Sequence, residues 1–257
     1  MNYVAASTLM TAFGEVPALP AWHWQVAAEI GHVPRLSESQ QRVGFSGSKQ
    51  EDLNRSPVFG RLRLIVGLPV GFVAELGYTP PLTVRGTRAR DFLAAALGRR
   101  VLERDALSVS MRIFGQRGRV HGDITCPARL AGAPIDENPL GCQEPSNDRV
   151  VLNYHGLDAT LAWRLPGWQL HATAGVARTE LEVQVDALTF DVRDRSRLVA
   201  RSSRPFAALG VSCDLDSRWR LGAEVLHVPL KVQRELDGAS RDDPFSAVRI
   251  RLAYRFG

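Results

Sequence analysis

The 257-residue chain lacks the features that define several common protein classes. Only three cysteines are present, which excludes a small scaffold held together by disulfides. The longest apolar run, residues 64–74, is far shorter than the roughly 20 residues that a membrane-spanning helix needs, and a Pro-Val-Gly turn signal interrupts it. A hydrophobic content of 45% excludes a disordered chain. No linker-like segment divides residues 60–257, so we expect one domain.

The start of the chain lacks lysine and arginine altogether. Residues 1–24 carry neither, and Glu15 lies in their middle. A bacterial export signal has a basic beginning followed by an apolar stretch. We therefore recognise no export signal in the N-terminal segment, residues 1–21. Either the chain is cytosolic or this start lacks the native signal.

Most of the remaining sequence alternates between apolar and polar residues, which is typical of β-strands with two different faces. The clearest example is the last strand, where Val248, Ile250 and Leu252 share one face and Arg249 and Arg251 the other. We predict an all-β chain of about ten strands. They lie near residues 24–33, 61–68, 72–78, 90–101, 107–113, 157–164, 169–176, 207–214, 219–225 and 248–256. Helical spacing fits only the alanine-rich stretch 92–97.

The connections between these strands fall into two classes that alternate along the chain. Tight turns are predicted at residues 69–71, 103–105, 166–167 and 214–217, and longer polar segments at 35–59, 79–89, 117–148, 179–202 and 230–246. This asymmetry predicts a single closed antiparallel transmembrane β-barrel. Its short turns and both chain termini would face the periplasm, and its long loops would be extracellular.

The large aromatic residues support the same architecture. A membrane barrel places them at the level of the lipid headgroups on its apolar face. We predict an aromatic girdle at the turn end of the strands and expect Tyr78 and Phe92 to mark the opposite girdle. The girdle comprises Trp24, Phe72, Trp163, Trp168, Trp219, Tyr254 and Phe256.

Over residues 22–257 the chain resembles the small bacterial outer-membrane β-barrel proteins. Residues 248–256 alternate apolar side chains and end on the aromatic Phe256, which resembles the C-terminal signal that the assembly machinery of this family recognises. Gly257 follows that aromatic residue, which departs from the family's pattern. The resemblance implies a location in the outer membrane, with the lipid bilayer, lipopolysaccharide and the assembly machinery as partners.

Charged residues on the polar face of the strands would point into the barrel lumen. Because an unpaired charge in a narrow interior is costly, we expect acidic and basic members of this set to pair. The set either forms a satisfied polar interior or lines an anion-preferring pore. The lumen-facing set is Arg61, Arg63, Glu75, Arg112, Asp158, Arg164, Asp214, Glu224, Arg249, Arg251 and Arg255. Despite a sequence pI near 9.5, the arginines form no single stripe, so we expect no nucleic-acid partner.

Two of the three cysteines flank a segment of one predicted long loop. A bond between Cys126 and Cys142 would stabilise the protein by about 3 kcal/mol in the chain-entropy model. A zinc site is disfavoured because no second cysteine pair or histidine lies at ligand spacing, although His121 and Asp123 are near in sequence. We predict a disulfide, an oxidising compartment, and a free lipid-facing thiol at Cys213.

The function that we expect is that of a non-enzymatic envelope protein. A barrel of about ten strands is too narrow to pass large solutes. It would be a structural or surface-interaction barrel, or a narrow anion-preferring channel. The alternatives are a hydrolase of lipid or peptide at the rim and a soluble β-sandwich or lipocalin-like binding protein. Hydrolase candidates are His121 with Asp123, then Asp91, His155, Glu180 and Glu182, and we expect no metal or cofactor.

Overall fold

The computed structural model describes residues 2–43, 49–50, 56–81, 83–84, 87–233 and 240–256. Ten strands in these ranges form one antiparallel barrel. The strands are β1 (Trp24–His32), β2 (Val58–Gly67), β3 (Phe72–Thr79), β4 (Thr87–Arg104), β5 (Leu107–Gly122), β6 (Asp148–Leu165), β7 (Trp168–Gln184), β8 (Arg197–Asp214), β9 (Trp219–Val228) and β10 (Phe245–Arg255).

Each strand pairs with the next along the chain, and β10 pairs with β1. The register of the closing pair runs from Gln25 opposite Arg255 to Gly31 opposite Arg249. Because the ring is closed, it has no sheet edge with unpaired backbone groups. An open edge of that kind would be strongly destabilising in lipid. The predicted closed antiparallel barrel of ten strands is therefore confirmed.

The remaining elements are short and lie at the ends of the barrel. They are the helices α1 (Asn2–Ser7) and α2 (Glu38–Gln41), a 3-10 turn at Pro69–Gly71, and the strand segments Arg42–Val43, Lys49–Gln50, Thr83–Val84, Ala187–Thr189, Val192–Asp194, Lys231–Gln233 and Ser240–Asp242. No helix in the described part of the chain is long and apolar enough to cross a membrane.

The two faces of the barrel have opposite character, and their placement is the reverse of a soluble protein. On β10, Val248 and Ile250 are 54% and 48% exposed on the outside, whereas Arg249 and Arg251 are buried in the lumen. The same division holds on β5, where exposed Met111 and Ile113 flank buried Arg112. An apolar exterior around a polar interior is stable only when lipid surrounds the barrel.

One end of the barrel, the turn end, carries the tight connections and the predicted aromatic residues. Trp24 stacks on Phe256 with ring centroids 3.7 Å apart, and Trp219 packs against Tyr254 at 4.8 Å. Phe72, Trp163 and Trp168 are exposed on the exterior at the same end. The other end, the loop end, carries the long connections.

The strands extend further toward the loop end than predicted. The expected loops 117–148 and 179–202 begin and end inside strands, because β5 continues to Gly122 and β7 to Gln184, while β8 already starts at Arg197. Hydropathy alternation weakens where a strand leaves the lipid, but the backbone hydrogen-bond ladder continues into water. Hydropathy alternation therefore predicted the membrane-embedded part of each strand but not its extension beyond the lipid.

The expectation that Phe92 contributes to a second girdle is wrong. Phe92 is only 3% exposed and points inward, with its ring edge toward Phe59 at 6.5 Å. On β4, Phe92 has the same inward-facing parity as the buried residues Ala94 and Ala96. Tyr78 does lie on the exterior, 44% exposed.

Two long connections at the loop end are joined to each other. The predicted disulfide is confirmed, since Cys126 is bonded to Cys142. Cys142 also bridges to Thr189 in the hairpin of Ala187–Thr189 and Val192–Asp194. Buried Asp148 accepts hydrogen bonds from the backbone N–H groups of Thr125 and Asp186 at 2.6 and 2.9 Å. We call residues 123–147 and 186–195 together the rim platform.

Position 209 tests which face of the barrel contacts lipid. Leu209 on β8 lies in the apolar exterior surface and is 66% exposed. Leu215 lies in the turn that follows β8, beyond this apolar surface, and is 58% exposed. We expect Leu209→Arg to destabilise the protein by about 2–4 kcal/mol, the cost of a cation on the lipid face. Leu215→Arg should change stability little. Urea unfolding in phospholipid vesicles, followed by tryptophan fluorescence, measures both, and equal effects would contradict the assignment of faces.

Candidate functional site: the occupied lumen

The N-terminal segment runs through the lumen from the loop end to the turn end. At the loop end, the hydroxyl of Tyr3 donates to Asp243 at 2.5 Å. Further down, the backbone N–H of Val16 donates to the hydroxyl of Ser110 at 3.2 Å. The chain leaves the lumen beside the end of β2, where Gly67 exchanges backbone hydrogen bonds with residues 22 and 23. The expectation that both termini lie at the turn end is therefore wrong for the N-terminus.

Lumen arginines bind eight consecutive backbone carbonyls of this segment. Every carbonyl from residue 6 to residue 13 accepts a hydrogen bond from one of five arginine side chains. Arg249 donates to Ala6, Ser7 and Leu9, Arg61 to Thr8, Arg112 to Met10, Arg63 to Thr11, and Arg251 to Ala12 and Phe13, over distances of 2.5–3.3 Å.

This arrangement answers the hydrogen-bonding need of an extended segment. A strand satisfies its carbonyls through its neighbours, but residues 8–16 pair with no strand, and all of them except the partly exposed Glu15 are buried. Buried carbonyls without donors would be strongly destabilising. An arginine side chain offers five donors and cannot lose its charge, so it can serve several carbonyls at once. Arg249, which serves three, is the clearest case.

Three of these arginines belong to a chain of alternating charges across the lumen. Glu29 binds Arg61 at 3.2 Å and also contacts Arg63. Arg63 in turn binds Glu75 at 3.0 Å. Glu75 continues the chain to Arg112 at 3.0 Å, and Arg112 ends it at Asp158 at 2.7 Å. All six side chains are buried, so each charge depends on the next for its compensation.

Glu224 forms a second acidic position that contacts the segment directly. It accepts a hydrogen bond from the hydroxyl of Thr11 and lies 3.7 Å from the ring of His171. Gly210 gives that ring its space, because a Cβ at position 210 would lie 2.5 Å from it. Side chains from β7, β8 and β9 therefore shape the lumen around the segment.

Apolar contacts close the loop end of the lumen. Tyr3 in α1 packs edge-on against Phe245 with ring centroids 5.8 Å apart, and Leu36, Leu226 and Leu230 are buried in the same cluster. A cavity of about 20 Å³ remains between residues 5–9 and the wall of β7 and β8. Such a volume holds about one water molecule. The segment and the arginine–carboxylate chain thus fill this part of the lumen.

The predicted lumen-facing residues divide into two groups. Eight of them are buried in the lumen: Arg61, Arg63, Glu75, Arg112, Asp158, Glu224, Arg249 and Arg251. The other three lie at the turn end and are partly exposed. Arg164 binds Glu103 at 2.5 Å, while Asp214 lies 3.6 Å from Arg255.

Sequence reasoning missed three contributors to this site. Glu29 shares the inward face of β1 with Gln25, so strand alternation could have revealed it. Tyr154, which receives the N–H of Met10 at 2.9 Å and donates to the carbonyl of Thr8 at 2.8 Å, lies beyond the predicted start of its strand. The N-terminal segment itself carried no signal, because its contacts involve backbone atoms.

The candidate hydrolase residues lie at the loop end and are built into its structure. Asp123 accepts the backbone N–H of Ala128 at 2.7 Å, which holds the start of the rim platform. His121 is in the next-to-last pair of β5 with β6 at the loop end, opposite Arg149. Glu180 and Glu182 bind Arg201 and Arg197 on β8. Asp91 lies outside the side chains that the structure describes. Among the described residues, no group of three His, Cys, Asp or Glu could hold a metal ion.

A closed antiparallel barrel with an apolar exterior, a charged lumen and tight turns at one end defines a class of protein. This chain has the fold of that class, the transmembrane β-barrels of bacterial outer membranes.

No protein-family model and no curated protein matches the sequence. Among solved structures, it is similar to Ail, the attachment invasion locus protein of Yersinia pestis, with 8% identity and a TM-score of 0.40 over 92% of this chain and 100% of that one. Neisserial surface protein A matches with 10% identity and a TM-score of 0.36 over 91% and 97%. The outer membrane protease OmpT from Escherichia coli matches with 10% and 0.35 over 91% and 94%. We infer nothing about activity from likenesses at this level.

Removing one carboxylate from the charge chain tests its contribution to stability. We expect Asp158→Ala to destabilise the folded barrel by about 3–5 kcal/mol, because Arg112 stays buried with less compensation. The matched control is Glu180→Ala, which breaks an exposed pair with Arg201 and should have little effect. Denaturant unfolding in vesicles measures both variants. Similar stabilities would show that the buried pair is worth no more than the surface pair.

Proposed function

We propose that the protein is a closed, non-conducting outer-membrane barrel that presents the rim platform for contact with other molecules outside the cell. The observation that carries this proposal is the occupied lumen. The N-terminal segment threads it, and arginines hold eight consecutive carbonyls of that segment. A solute path along the lumen would have to break these contacts. This supports a structural or surface-interaction role over a channel.

The rim platform has properties that suit an interaction surface. The disulfide and the bridge from Cys142 to Thr189 hold two loops as one unit. A hydrogen bond from Arg193, at 2.8 Å, lowers the pKa of Asp186 and so keeps that carboxylate charged. Exposed apolar side chains stand on this ordered support, with Phe190 60% and Val192 64% exposed. Rigid, exposed apolar groups are common at protein interfaces because little entropy is lost on binding.

In this proposal, an anion-preferring channel forms only when the N-terminal segment is absent from the lumen. Without residues 2–16, five lumen arginines would face the carboxylates Glu29, Glu75, Asp158 and Glu224. The lumen would then carry net positive charge and spare hydrogen-bond donors, which favours anions. The segment therefore determines whether the lumen can conduct.

Planar-bilayer recording tests the closed lumen. We expect no conductance steps from the wild-type protein, and anion-selective steps after deletion of residues 2–16. The double variant Arg249→Ala, Arg251→Ala provides a second test in the full chain, because it removes five of the hydrogen bonds to the segment and should give intermittent openings. Steady wild-type conductance would contradict the proposal. A folded but silent deletion variant would show that wall side chains alone close the lumen.

Protease treatment of intact cells tests the orientation. We expect cleavage in the connections from β1 to β2, from β5 to β6 and from β9 to β10, and protection of the tight turns at 69–71 and 166–167. Tight turns at the inner face are out of reach of an external protease. Cleavage confined to those turns would place the rim platform in the periplasm and refute its proposed role.

A further inference from the structure

Three basic side chains lie together on the outer surface of the barrel near its loop end. Arg117, His155 and Arg178 are exposed and occupy the exterior-facing positions of β5, β6 and β7. His155 is directly opposite Arg178, and Arg117 is diagonal to His155. Side chains in these relations are close enough to contact a common ligand. We call the three residues the basic cluster.

Among the side chains that the structure describes, no carboxylate compensates the charge of the basic cluster. None of its members makes an ion pair with a residue that the structure describes. The carboxylate of Glu180, two residues beyond Arg178, is held by Arg201 at 3.0 Å. The cluster therefore offers two permanent positive charges and an imidazole to an anionic group.

The position of the basic cluster corresponds to the boundary between lipid tails and headgroups. Directly below it, toward the turn end, the exterior positions of the same three strands are Ile113, Leu157 and Val176. These side chains are 61%, 53% and 37% exposed and belong to the lipid-facing surface. Basic side chains placed just above such a surface meet lipid headgroups.

An apolar groove continues from the basic cluster across the outside of the barrel. It has a volume of about 1030 Å³ and reaches from Arg117 to the girdle residues Trp219 and Tyr254. One row of paired residues along it runs from Arg117 through Leu93 and Tyr78 to Leu62 and Ala28. The next row includes Gly115 and Ala95, and these small residues make the surface concave.

We propose that the basic cluster and this groove together bind one molecule of a phosphorylated glycolipid of the lipopolysaccharide class. The phosphates would contact Arg117, His155 and Arg178, and one acyl chain would lie in the groove. The cluster spans three strands, about 10 Å, which is wider than a single phosphodiester and suits a sugar headgroup with two phosphates. The proposal rests on the proposed orientation, because only the outward-facing leaflet would supply this lipid to the loop end.

Titration of the full-length protein in detergent with diphosphorylated lipid A, read by native mass spectrometry, tests this site. We expect one bound equivalent, with at least tenfold weaker binding by the double variant Arg117→Gln, Arg178→Gln. The matched control is Arg99→Gln, Arg104→Gln, which removes the same charge from exposed positions near the turn end and should bind within twofold of wild type. Ala95→Phe should also weaken binding severalfold, because it fills the groove without changing charge.

Three results would overturn the proposal. Equal binding by the two double variants would exclude the basic cluster, and unchanged binding by Ala95→Phe would exclude the groove. Phosphatidylglycerol binding as tightly as lipid A would exclude selection of the glycolipid class. Since detergent-solubilised protein has no inside or outside, these results do not depend on the orientation or on the closed lumen, so failure here is distinguishable from failure of the proposed function.

Discussion

Buried charges and backbone carbonyls in the filled lumen need partners within the protein, and this constraint organises the lumen. Ten strands satisfy their backbones through closure, but their inward-facing charges then need compensation in a space from which water is largely absent. The chain of ion pairs from Arg61 to Asp158 provides that compensation with side chains from five strands. The surplus of arginine is used by the carbonyls of the N-terminal segment. Wall and segment therefore stabilise each other.

This mutual dependence explains how a segment without secondary structure can lie buried. Residues 8–13 form neither helix nor strand, yet their carbonyls accept hydrogen bonds from arginine side chains rather than from a strand ladder. Arg249 and Arg251 make no ion pair with a described residue, so the segment supplies their main hydrogen-bond acceptors. An interior that is costly as a bare cavity becomes favourable when occupied. The occupied lumen therefore depends on the same contacts that stabilise the fold.

The outside of the barrel is organised by a different solvent. Lipid tails require the apolar belt, and headgroups require amphipathic or charged side chains where that belt ends. Stacked Trp24 and Phe256 meet this requirement at the turn end. At the loop end it is met by the basic cluster on β5, β6 and β7, above which the strands continue into water and carry the rim platform. The two ends therefore face their surroundings through different chemistry.

The sequence by itself determined the architecture, because strand alternation and the spacing of turns are local properties that survive in one dimension. The alternation of Val248 to Arg251 and the pair Cys126 and Cys142 were sufficient for the barrel and the disulfide. Only the tertiary structure decided what the lumen contains. Contacts such as that between Arg249 and the carbonyl of Leu9 join residues 240 positions apart through a backbone atom. Every residue type has a backbone carbonyl oxygen, so no pattern of side chains in the sequence predicts such a contact.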